Sequence, residues 1–136
     1  MTSTAPLAAE PDAPGASDHA VFAQLETAFG GALKDVLARY LAISDGLCQR
    51  LQDASGCAHW QEAVRVALQI GHEADELGFH RVAQAARGFA DAAYHADDAH
   101  SLRNGAQTVV FEYERFHLAL EMHFPGLVAS DIASVA

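Results

Sequence analysis

The 136-residue chain is poor in positive charge, with 8 Lys and Arg against 18 Asp and Glu and a formal net charge of −10 when His is neutral. A surface of that sign repels phosphate backbones and offers no cationic stripe for counterion release, which excludes nucleic acid as a partner class. Cysteine is nearly absent. Cys48 and Cys57 cannot build the framework of a disulfide-stapled domain, and in a reducing compartment they read as thiols of the core or a loop. Long apolar runs are missing too: none reaches the roughly 18 residues that a membrane span needs. The opening MTSTAPLAAEPDAPGASD has neither a basic start nor an apolar signal core. The expectation is a cytoplasmic protein without a membrane partner. Internal repeats, a phosphate-cradling Gly loop, a Gly-x-Ser-x-Gly elbow and strict apolar/polar alternation are all lacking, which removes the common nucleotide and hydrolase signatures and any half-buried sheet.

Apolar residues make up 51% of the chain, enough for one real core, while the length leaves no room for a second full domain. Residues 1–17 are a mixture of Ala, Pro, Ser and Asp that loses more entropy on ordering than its few apolar atoms recover, and a disordered tail is predicted there. Ser17 or Asp18 then caps a short helix carrying Val21, Phe22, Leu25 and Phe29, stopped by Gly30-Gly31. Leu33, Val36, Leu37, Tyr40, Leu41, Leu47 and Leu51 recur at steps of three and four and predict a long amphipathic helix ending at Asp53-Ala-Ser-Gly56.

A third helix starts around Ala58-His59-Trp60. It places Trp60, Ala63, Val64, Ala67, Ile70, Gly71, Ala74 and Leu77 on one side, with Gln61, Arg65, Gln69, His72 and Asp75 outside, and Gly78 as its stop. Phe79 to Tyr94 continues with Val82, Ala83, Ala86, Phe89, Ala90 and Ala93, a face of mostly small residues that lets neighbouring helices approach closely. After the punctuation of Asp97-Asp98-Ala-His-Ser101, a last helix to His123 turns Leu102, Ala106, Val109, Val110, Tyr113, Phe116, Leu120 and Phe124 inward, and Pro125-Gly126 closes it. The predicted fold is all-α: an antiparallel, up-down four-helix bundle over residues 18–127 with a short leading helix across its end, followed by a C-terminal tail, 128–136.

Eight histidines in an acidic helical chain raise the question of metal, because di-iron bundles use inward Glu-x-x-His pairs on facing helices. Glu114-x-x-His117 is one such pair and has no second; His72/Glu76 and His117/Glu121 share helix faces but read equally as solvated surface pairs. A metal- or ligand-binding bundle using Glu114, His117 and Glu121 is therefore an alternative, while the main expectation carries no metal and no cofactor. The carboxylate pairs Asp97-Asp98 and Glu112/Glu114 read as solvated faces.

The segment Ala67-Leu-Gln-Ile-Gly-His-Glu-Ala-Asp-Glu-Leu-Gly78 resembles the signature of histidine-containing phosphotransfer (HPt) domains, Ala-His-x-Leu-Lys-Gly-Ser-Ser-x-x-Leu-Gly. Ala67, Ile70, Ala74, Leu77 and Gly78 match scaffold positions, and Trp60 stands where the family often has an aromatic residue. The likeness runs from about Phe22 to Leu127, including Val109-Val-Phe-Glu-Tyr-Glu-Arg-Phe-His117 in the last helix. What it implies is an HPt-like bundle in a bacterial two-component phosphorelay, docking a receiver domain or a histidine kinase.

The chemical positions depart from that pattern. Leu68 stands at the phosphoacceptor histidine, Gly71 at the usual lysine and His72 at the following glycine. An HPt histidine attacks an aspartyl phosphate through a ring nitrogen, and the lysine offsets the added charge; leucine does neither. The expectation is a non-enzymatic module with no catalytic residue and a partner face made of Arg65, Leu68, Gly71, His72 and Asp75. His72, one turn beyond Leu68, is the alternative: a displaced acceptor, opposed by the carboxylates Glu73, Asp75 and Glu76 around it.

Overall fold

The computed structural model describes residues 14–95 and 98–125, with side chains from His19 onward. Its helices are α1 (Pro14–Phe29), α2 (Leu33–Gly56), α3 (Trp60–Leu77), α4 (His80–Tyr94) and α5 (Ala99–His123), and a single 3-10 turn, Gly30–Ala32, joins the first two. Among the described residues there is no strand. Helices α2 to α5 pack in a ring, α3 between α2 and α4 and α5 between α4 and α2, and α1 lies against α5 and α2. This is the four-helix bundle with a leading helix. Within the described residues, no helix is long and apolar enough to cross a membrane.

Each stripe becomes core in turn. Leu33, Leu37, Tyr40, Leu41, Leu47 and Leu51 of α2 are buried, Val36 half so, and the same face also takes in Ser44 and Cys48. In α5 the buried set is Leu102, Ala106, Val109, Val110, Tyr113, Phe116 and Leu120, as the spacing predicts, whereas Phe124 is half-buried just past the helix end. Rings of Phe22, Tyr40, Phe79 and Phe116 meet at one end of the bundle, Phe79 and Phe116 with centroids 4.0 Å apart.

The small residues of α4 do what their size allows. A Cβ on Gly71 would meet the Ala86 Cβ at 3.4 Å, and one on Gly105 would meet Phe89 Cδ1 at 3.2 Å, so α3, α4 and α5 cross nearly backbone to backbone at these points. Gly78 ends α3 in the left-handed region at φ +84, with its N–H donating to the Ala74 and Asp75 carbonyls. Asp98 caps α5 by accepting from the Ser101 N–H at 2.8 Å, and that bond holds its carboxyl below the usual aspartate value.

Several expectations need correction. The leading helix has 16 residues and begins at Pro14, so Ser17 and Asp18 lie within it rather than capping it. Phe29 faces solvent. Val66, absent from the predicted inner face of α3, is buried, while Trp60 is only half-buried, its ring facing the Arg103 guanidinium at 6.0 Å. Residues 1–13, Ala96, Asp97, Gly126, Leu127 and the 128–136 tail lie outside the described residues.

Candidate functional site

The motif segment occupies most of α3, and its inner and outer faces are divided by simple helical phase. Ala67, Ile70 and Ala74 point into the bundle and are fully buried, which leaves Leu68, Gln69, His72 and Glu76 on the outside. Leu68 is 51% exposed, one of seven large apolar side chains so placed among the described residues. It does not stand alone. With Val64 of α3 and Arg87, Ala90 and Tyr94 of α4 it lines an open groove of about 570 Å³. A continuation of that groove runs past Val64, Ala93 and Tyr94 to Trp60. Tyr94, 86% exposed, forms its far wall.

The polar groups around the groove are largely tied to one another. Asp75 accepts from Arg87 at 2.5 Å, clamping α3 to α4, with His80 4.0 Å away. His72 Nε2 lies 3.3 Å from Glu76 one turn on. Arg65 pairs with Glu62 on its own helix, and Glu62 also receives Arg50 of α2. An apolar strip with charges engaged along its rim can shed water at its centre at little cost, since few unpaired charges need to be stripped.

Of the five sequence-predicted partner residues, Arg65, Leu68, His72 and Asp75 are exposed on α3. Gly71 is not on that surface: it is buried against Ala86 and the Ala83 carbonyl of α4. The position that resembles the HPt lysine therefore lies in a helix–helix contact, where a lysine could not reach a phosphoryl group at Leu68 without separating α3 from α4.

His72 keeps its carboxylate neighbour, so a phosphoryl group on its ring would sit against Glu76 with no lysine beside it. The metal alternative is not assembled. His117 Nε2 approaches Glu121 at 3.4 Å and its Nδ1 lies 4.0 Å from Asp45, but Glu114 is exposed and no group of three or more His, Cys, Asp or Glu among the described residues is placed to hold a metal ion.

Arg87, Gly88, Asp91 and Tyr94 line the groove although no pattern in the sequence singles them out. They are exposed positions of α4, which no helical spacing marks as a site. No family model, curated protein or solved structure matches the chain.

Proposed function

We propose that the chain is an HPt-like signalling module of a bacterial two-component phosphorelay, one that docks a receiver domain or a histidine kinase without ordinary phosphotransfer. The observation that carries the reading is Leu68, half-exposed at the position resembling the phosphoacceptor and continuous with an apolar groove shared by α3 and α4. The all-α bundle supports it, as does the left-handed Gly78 at the end of the motif helix. The chemistry of the face favours binding over transfer, because leucine has no nucleophile and the lysine position is a buried glycine.

A receiver seated there would bury on the order of 1,200–1,600 Å², a size suited to specific, reversible association. The test is titration calorimetry with the genomically adjacent receiver or kinase. Leu68→Asp is expected to weaken binding by about 2 kcal/mol, roughly thirtyfold, while circular dichroism stays that of the folded bundle. Unchanged affinity would move the interface off this face. Incubation with a phosphorylated receiver separates the second reading: acid-labile label on this chain, lost in His72→Ala, would make His72 a displaced acceptor.

A further inference from the structure

At the opposite margin of the sequence pattern, two histidines 104 residues apart meet. His19 of α1 and His123 of α5 bring their Nδ1 atoms within 3.1 Å, with ring centroids 5.1 Å apart. His123 is held in place by aromatic packing, its ring 4.9 Å from Phe22, which is 1% exposed, and 4.6 Å from Phe124. His19 is exposed, so the pair opens to solvent on one side.

Two neutral imidazoles in this arrangement share one proton, one Nδ1 donating and the other accepting. If that proton resides on Nε2 instead, both Nδ1 lone pairs become available with no net proton lost. A metal–nitrogen distance of about 2.0–2.1 Å to each of two nitrogens 3.1 Å apart closes an N–metal–N angle of about 98°. That value lies between the roughly 90° of octahedral and roughly 109° of tetrahedral coordination. The observed ring spacing also suits such a chelate. Rings that point at a common ion along their Nδ1 axes would have centroids roughly 5 Å apart for the same bond lengths.

We propose that His19 and His123 form a two-imidazole site for a divalent ion of the zinc, nickel or copper class, which clips the leading helix onto the end of α5. Imidazole nitrogen selects these ions over magnesium or calcium. The chain's net charge of −10 raises the local concentration of any divalent cation. Two protein ligands leave the remaining positions to water, so the ion exchanges freely and acts as a reinforcing clasp. Because α1 reaches the bundle through α5 and α2, locking its α5 contact restrains the whole element. This inference is independent of the receiver-docking reading.

The experiment uses the full chain freed of metal with a chelator, titrated with Zn²⁺ alone at pH 7.5 and followed by calorimetry and thermal unfolding. One ion per chain and a rise in Tm of roughly 5 °C at saturation are expected, since the paired nitrogens of the folded state hold the ion more tightly than the separated histidines of the unfolded chain. Each variant is compared with its own metal-free Tm. His19→Gln, a change at an exposed side chain, should abolish the rise, and His123→Gln should do the same; if loss of ring packing keeps His123→Gln from folding, His19→Gln decides alone. His72→Ala should retain the full effect. No rise in the wild type, a rise that survives His19→Gln, or one lost only in His72→Ala would each overturn the site.

Discussion

The Tyr113 hydroxyl donates to Asp45 Oδ1 at 2.5 Å, with the Leu41 carbonyl 3.2 Å away, and so ties α5 to α2 through a partly buried polar contact. A short bond to a carboxylate is stronger than a neutral one, and removing the donor ends this tie between α5 and α2 while water takes its place on the exposed Asp45. Tyr113→Phe is therefore expected to lower stability by about 1–2 kcal/mol in urea unfolding, with an unchanged m-value. Asp45→Asn, which keeps an acceptor, should cost less. Equal losses would show that the bond depends wholly on the charge of Asp45.

The same contact bears on alkaline stability. Burial pushes the Cys48 thiol up to about 12, and burial likewise pushes Tyr40 and Tyr113 above the ordinary phenol value, in Tyr113 with the Asp45 bond adding to the effect. The folded state therefore keeps protons that the unfolded chain releases. Stability from these groups is complete below their unfolded values and is lost as pH rises from about 9 towards the folded values, at up to about 1.4 kcal/mol per pH unit per group. Urea unfolding between pH 8 and 11 should show a steep decline, and a flat profile would contradict it. Thiol labelling at pH 8 should reach exposed Cys57 and spare buried Cys48 until the chain unfolds.

Two helical glycines should respond oppositely to alanine. Gly46 has open space where a Cβ would go, so Gly46→Ala is expected to stabilise by about 0.5–1 kcal/mol through backbone entropy alone. Gly105→Ala would press on the Phe89 ring, buried at the α4–α5 crossing, and is expected to lose about 1–2 kcal/mol net. Thermal unfolding of the two variants side by side checks both: stabilisation by Gly105→Ala would mean that α4 and α5 do not cross closely at Phe89, and a loss on Gly46→Ala would mean that its surroundings are not open.

Restoring the residues of the HPt pattern at the positions that resemble it should fail at one place for a structural reason. Leu68→His changes an exposed residue and should leave the Tm within a few degrees. Adding Gly71→Lys forces a long charged side chain into the contact with Ala86 and is expected to cost about 3 kcal/mol or more, seen as a large drop in Tm. A fully stable double variant would show that α4 gives way at Ala86. The half-buried Trp60 calls for a smaller loss, about 2 kcal/mol for Trp60→Ala, than a core tryptophan would.

Helix positions were legible because the signals that set them are local. The three- and four-residue spacing of Leu37, Tyr40, Leu41, Leu47 and Leu51, the left-handed need met by Gly78, and the phase that turns Ala67 and Ile70 in and Leu68 out all follow from one helix's own geometry. The same phase put Gly71 correctly on the inner side of α3. Its simultaneous assignment to a partner face came from the family pattern, and the closeness of α4 at Ala86 is what excludes it.

Contacts between helices are different in kind. They depend on how each bundle layer seats against the next, which no spacing within one segment encodes. Only the tertiary structure brought Tyr94 and Arg87 of α4 beside Leu68, locked Asp75 to Arg87, and set Tyr113 on Asp45 across 68 residues. The sequence by itself determined five amphipathic helices and an exposed leucine in the motif; the packing of α1 onto α5 decided that His19 and His123 would meet, because side-chain distances of 3 Å are set by the rigid-body placement of helices rather than by their periodicity.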